Sequence, residues 1–185
     1  MKQFIFLYPI PEFINFEIEN HRHDEVFKQR YKDNLNKCID LRYRQKKFNI
    51  NYAVFNNHQI SDFIEIQPSD RIIEVGMDFK THTTKLNGEY QYPSQDYILD
   101  QLGGINAIRI AGFHMWDCVE RLAKRAYERG LTALVDEDLT EFFAGRLDEI
   151  DLDKFPTFNP RKLGKTEFES FMNVRRKKPW LWQEY

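Results

Sequence analysis

Short apolar runs alternate with amphipathic segments along most of this chain, and that alternation limits its possible folds more than any other feature. Apolar and aromatic residues concentrate at 3–8, 50–55, 71–75, 107–111 and 131–135, as expected of buried strands. Strands that alternate with helices through short connections need crossover topology. The pattern therefore predicts an α/β fold with a doubly wound, mostly parallel sheet that binds ligands at the carboxyl ends of its strands.

Three segments between these runs have the apolar spacing of helices, at 24–46, 94–102 and 118–130. Ser94 is a capping residue at the start of the second helix, and glycines end the second and third. The Pro-Ile-Pro sequence at 9–11 ends the first strand and predicts a rigid loop behind it.

The length and composition fit one domain. A chain of 185 residues, 42% of them hydrophobic, can close a single core without metals or disulfides. We expect that core within residues 1–150. The remainder, 151–185, has few periodic apolar positions and is expected to be an irregular tail that packs on the body or on a partner subunit.

The cellular compartment is indicated by the cysteines and by the apolar runs. Cys38 and Cys118 both fall in predicted helices, so reduced thiols are expected. No apolar run approaches the roughly 20 residues of a membrane span. The first run breaks at Pro9, before it could serve as a secretory signal, so a cytoplasmic location is expected.

The charge balance gives no global argument for nucleic acid or an anionic membrane as a partner, because 27 basic and 29 acidic residues leave a formal net charge of -2. A local exception is the basic stretch at 175–178, which Trp180 and Trp182 follow. It would suit a phosphate backbone or an acidic partner surface. We favour a terminal anchor whose tryptophans pack into an apolar groove while the charges stay in water.

The segment 105–140 carries the most specific motif. A strand ends in Gly112, the loop Phe113-His114-Met115-Trp116-Asp117 follows, Cys118-Val119 opens a helix, and Val135-Asp136-Glu137-Asp138 comes later. This order resembles the isochorismatase-like cysteine hydrolases. The resemblance implies their single-domain, three-layer α/β fold, a homo-oligomer, and Cys118 as the nucleophile. A thiol in the first turn of a helix faces the positive end of the helix dipole, which favours the thiolate.

The resemblance also implies a catalytic aspartate at the end of the first strand and a lysine at the end of the third. Tyr8 and Val75 stand at these positions. Tyrosine has a pKa near 10 and valine does not titrate, so neither supplies the proton transfer that a thiol nucleophile needs. We therefore expect a binding or assembly module that lacks the family's hydrolysis, with a pocket formed by Tyr8, Val75, Phe113 and Trp116.

Two alternatives remain. One is a divergent hydrolase in which Cys118 attacks a small amide, ester or imine, with His114 or a carboxylate of Glu12, Asp78 or Asp117 replacing the lost groups. The other is an unrelated doubly wound protein with a nucleotide ligand, although no glycine-rich phosphate loop follows the first strand.

A metal site is a weaker possibility. His21-Arg22-His23-Asp24-Glu25 brings two histidines and two carboxylates together. Such a segment just before a helix is more often a solvated cap, with Asp24 or Asn20 as the capping residue. No metal or other cofactor is expected.

Overall fold

The structure is a computed structural model, and it describes residues 1–141 and 178–180. Its strands are β1 (Lys2–Leu7), β2 (Asn49–Val54), β3 (Arg71–Glu74), β4 (Lys85–Leu86), β5 (Glu89–Tyr90), β6 (Ala107–Gly112) and β7 (Thr132–Thr140). Its α-helices are α1 (Pro11–Asn20), α2 (Glu25–Ile39), α3 (Phe79–Thr83), α4 (Gln95–Asp100) and α5 (Glu120–Glu128). Two π-helical turns, Asp40–Arg44 and Met115–Val119, follow α2 and precede α5.

Five of these strands form one parallel sheet in the order β3-β2-β1-β6-β7. The chain starts in the centre at β1, moves outward to β3, and then crosses back to β6 on the other side of β1. The predicted α/β class with a parallel sheet is confirmed. Sheets with this order change direction at one point, here between β1 and β6, and ligands commonly bind at the carboxyl edge of that point.

Both faces of the central strand are buried, which explains why its sequence is continuously apolar from Phe4 to Leu7. Phe4 and Phe6 lie in an apolar cluster with α1 and α2. Ile5 and Leu7 lie in a second cluster with α4 and α5. The helices therefore cover the sheet on two sides.

The loop predicted at 9–11 is wrong in extent, because α1 begins at Pro11. Proline is favoured in the first turn of a helix, where its missing N–H would have no intrahelical partner. Ile14 and Ile18 then bury one face of α1. None of the helices in the described part of the chain is long and apolar enough to cross a membrane.

A small hairpin that the sequence pattern did not predict joins α3 to α4. Its strands β4 and β5 are antiparallel, and the turn residues Asn87 and Gly88 both have positive φ. Asn-Gly is the sequence that such two-residue turns favour. The hairpin returns the chain to the sheet edge at Tyr92.

Most of the predicted tail, including Trp182, lies outside the described residues. Trp180 is described, and it is partly buried against the apolar cluster of α4 and α5.

Candidate functional site

The predicted site residues lie around the carboxyl ends of β1 and β6. Gly112 ends β6 with φ +113, and a Cβ at this position would lie 2.1 Å from the Leu7 carbonyl oxygen. Only glycine permits this close approach. Tyr8 follows β1 in the left-handed region, with φ 56. The two strand ends therefore leave the sheet side by side.

Tyr8 and Cys118, far apart in sequence, meet at this edge. Both side chains lie in the same apolar cluster, close enough for each to shift the pKa of the other. Tyr8 is 2% exposed and Cys118 is 5% exposed. The pair is therefore almost completely shielded from water in the described residues.

Burial opposes the thiolate that a helix start would favour at Cys118. Burial raises its pKa to about 12, and the charge of Asp117 adds to this effect, while the interactions with Tyr8 and Arg121 lower it. The turn that holds Cys118 is also kinked at Asp117, with φ -129 and ψ -106, and α5 begins only at Glu120. Loss of hydration therefore outweighs the benefit of the helix start.

Tyr8 is surrounded by rings. It stacks on Phe55 at a centroid distance of 4.4 Å, and Phe13 and His82 lie 6.2 and 6.1 Å away. Burial, followed by Cys118, raises the Tyr8 pKa well above its ordinary value. The phenol is therefore a hydrogen-bond donor at neutral pH.

Val75 lies in the same apolar cluster as Tyr8 and Cys118 and is 1% exposed. Its N–H donates to the Val54 carbonyl oxygen at 3.0 Å, which continues the β2–β3 pairing. The position that the resemblance gives to a lysine thus contributes only apolar surface.

The sequence did not indicate that Asp117, Arg121 and Tyr92 come together beside Cys118. Arg121 Nε donates to Asp117 Oδ1 at 2.9 Å, and the guanidinium lies 3.8 Å from the centre of the Tyr92 ring. Burial and then the charge of Asp117 raise the pKa of Tyr92. The spacing of Asp117 and Arg121 suits a helical ion pair, but nothing in the sequence points to Tyr92.

His114 lies at the mouth of the site but faces a different partner. Its Nδ1 is 3.8 Å from Glu141 Oε1, and its ring is 5.1 Å from that of Phe13. The same Glu141 oxygen accepts a hydrogen bond from the Met115 N–H at 2.9 Å. These contacts direct His114 toward the end of β7.

Two of the candidate carboxylates have structural partners. Glu12 Oε1 is 3.4 Å from His58 Nε2. Asp78 caps α3 and accepts hydrogen bonds from the Thr81 N–H at 2.8 Å and hydroxyl at 2.7 Å. Neither contact involves Cys118.

The other predicted pocket residues are Phe113 and Trp116, and Phe113 does not lie beside Cys118. Phe113 is fully buried in the cluster of α1 and α2, whereas Cys118 belongs to the cluster on the other face of the sheet. The side chain of Trp116 is not among those that the structure describes.

The histidine segment before α2 is a cap. Asp24 accepts a hydrogen bond from the Phe27 N–H at 2.8 Å, and His23 stacks on the Phe27 ring at 3.5 Å. Within residues 1–141 and 178–180, no three His, Cys, Asp or Glu side chains are grouped as metal ligands would be.

A buried charge cluster lies on the α2 face of the sheet, away from Cys118. Arg42 Nη1 donates to both oxygens of Asp136 at 2.9 and 3.0 Å, and Nη2 donates to Asp138. The Tyr43 hydroxyl also donates to Asp136. The acidic residues of β7 are thus used to hold α2 against the sheet.

No protein-family model matches this chain, and no curated protein is significantly similar to it in sequence.

Proposed function

We propose that this chain is a binding or assembly protein of the isochorismatase-like kind that does not perform the family's cysteine hydrolysis. The observation that carries the proposal is the burial of Cys118 in one apolar cluster with Tyr8, because Tyr8 stands where the resemblance calls for an aspartate. A thiol attacks a carbonyl only as the thiolate. With a pKa of about 12, Cys118 is protonated at neutral pH.

Val75, Tyr8 and His114 do not replace the missing acid and base. Val75 has no ionisable group, and Tyr8 with its raised pKa does not accept a proton near neutral pH. His114 faces Glu141. This edge places a buried tyrosine and aromatic side chains where the resemblance calls for acid–base groups, which favours binding over cleavage. The assembly is proposed to be a homo-oligomer, as the resemblance implies, and light scattering of the full chain measures this.

A divergent hydrolase is the second candidate, because Asp117 and Arg121 put a carboxylate and a cation beside the thiol. In that mechanism the thiol proton passes to Asp117 while the sulfur attacks the carbonyl carbon of an amide. Arg121 stabilises the negative charge that develops, and the leaving amine takes the proton from Asp117, which leaves a thioester on Cys118. Water then attacks this thioester, gives up a proton through Asp117 to the departing sulfur, and releases the carboxylic acid.

Turnover assays separate the two candidates. We expect the full-length chain not to hydrolyse nicotinamide, isochorismate or related small amides and enol ethers. Loss of one acid–base group costs about 10²- to 10⁴-fold in rate, and two are replaced here. Product formation is measured by chromatography against a protein-free control.

The two cysteines provide the decisive control. Cys38 is buried on the opposite face of the sheet from Cys118. Turnover that disappears in Cys118→Ala but survives in Cys38→Ala would contradict the proposal and support the hydrolase.

A further inference from the structure

The described C-terminal residues lie on the outer surface of α5, where one carboxylate holds two of them. Lys178 Nζ is 2.5 Å from Glu120 Oε1. Trp180 Nε1 donates to the same oxygen at 3.4 Å. The Glu120 side chain is only 14% exposed, so this ion pair is partly shielded from solvent.

The tryptophan ring adds an apolar contact. Its centroid lies 5.9 Å from that of Tyr127, and Lys124 Nζ is 5.9 Å from the ring. Trp180 also packs against the apolar cluster that contains Cys118. Aromatic pairing and a cation above an indole ring both stabilise such a contact.

The position of Glu120 connects these contacts to the site. Glu120 is the first residue of α5 and directly follows the turn Met115–Val119 that carries Cys118. On its inner side the turn packs Cys118 into the apolar cluster that also contains Tyr8. On its outer side, the residue that follows the turn is held by Lys178 and Trp180.

We propose that Lys178–Trp180 is a latch that holds the Cys118 turn closed, so that release of this segment from α5 exposes Cys118 and the adjacent edge of the sheet. The Cys118 turn opens by local unfolding, and the latch lowers the population of the open state. The latch acts on access to the site, whether or not the site binds a ligand.

The test compares the alkylation rates of the two cysteines in the full-length chain. Cys38 and Cys118 are 1% and 5% exposed and lie on opposite faces of the sheet, so Cys38 reports global unfolding while Cys118 also reports opening of its turn. Iodoacetamide labelling at fixed pH is followed by peptide mass spectrometry. In Trp180→Ala we expect Cys118 to react about tenfold faster, with Cys38 unchanged.

Two further variants keep the test decisive. Glu120→Gln removes the charge that holds Lys178 but preserves the shape of the side chain, and a smaller increase of about threefold is expected at Cys118 alone. If Trp180→Ala does not fold, the labelling rates of Glu120→Gln test the latch instead. Phe16→Ala, which removes an exposed ring on α1, is the matched control and leaves both rates unchanged. Equal acceleration of both cysteines, or no change at Cys118, overturns the latch.

Discussion

At the residue scale, Tyr8 and Cys118 show how one substitution alters the chemistry of its neighbour. A carboxylate beside a thiol can accept its proton, whereas a phenol with a raised pKa only donates a hydrogen bond. The aromatic surroundings of Tyr8 then remove water from the pair. Cys118 is thereby a buried side chain whose pKa lies well above neutral.

The ionisation of Cys118 is expected to depend on the charges next to it. Burial has the largest effect and raises the pKa of the thiol. Asp117 raises it further, and the interaction with Tyr8 lowers it. At pH 8, Asp117→Asn should therefore increase the thiolate fraction and the alkylation rate, and Tyr8→Phe should decrease both. The measurement is the rate of iodoacetamide labelling of Cys118 as a function of pH.

An exposed carboxylate far from the thiol provides the control for that experiment. Asp62→Asn removes one negative charge without changing the surroundings of Cys118, and the labelling profile should match that of the unmodified chain. If Asp117→Asn and Asp62→Asn give the same profile, Asp117 does not control the thiol.

At the element scale, β7 is longer than its apolar residues indicate. Ile110 of β6 pairs with Val135, and Gly112 pairs with Thr140. The segment from Ile110 to Gly112 therefore lies opposite the longer segment from Val135 to Thr140. The irregular stretch contains the acidic residues 136–138. Burial lowers the pKa of Arg42, but the facing carboxylates more than offset this and raise it. The strand continues through acidic residues because Arg42, from the turn that follows α2, meets them.

Loss of that cation should destabilise the fold strongly. Arg42→Met leaves Asp136 and Asp138, both almost fully buried, without the guanidinium that binds them. Breaking one side of a buried ion pair costs about 3–5 kcal/mol in the free energy of unfolding. Urea denaturation followed by circular dichroism measures the change.

The matched control removes an arginine from an exposed network. Arg129 pairs with Asp96 and Asp100 at the surface, where its side chain is 34% exposed. Arg129→Met should cost less than about 1 kcal/mol. Similar losses in the two variants would show that the Arg42 cluster contributes no more than a surface ion pair.

At the scale of the whole molecule, both thiols are buried, one on each face of the sheet, and burial raises the pKa of each from 9.0 to about 12. The folded protein therefore holds these protons more tightly than the unfolded chain. The resulting stabilisation is complete below pH 9.0 and is lost as the pH rises from 9.0 to about 12. Each thiol changes the free energy of unfolding by at most about 1.4 kcal/mol per pH unit.

We expect the melting temperature to fall between about pH 9 and pH 11, and to fall less steeply in the double variant Cys38→Ala, Cys118→Ala. Buried tyrosines are present in both proteins, so the difference between the two slopes isolates the thiols. Differential scanning calorimetry at constant ionic strength gives both curves. Parallel curves would mean that the thiols ionise normally in the folded chain.

The class of the fold and the location of the site follow from local sequence. Alternating apolar runs and helical segments predict a parallel sheet, and in such a sheet all strands end at the same edge. Tyr8, Val75 and Cys118 could therefore be assigned to one edge from their positions after strands, and Asp24 could be recognised as a helix cap. The helix α1 was missed because a proline at its start has the same local signature as a turn.

Only the tertiary structure decided which chemistry that edge supports. The pKa of Cys118 depends on burial by side chains from distant segments, and Arg42 meets Asp136 across 94 positions of the chain. Phe113 is close to Cys118 in sequence, yet it lies on the opposite face of the sheet. Sequence patterns report the spacing of neighbours along the chain, whereas loss of hydration and pairing of charges depend on neighbours in space.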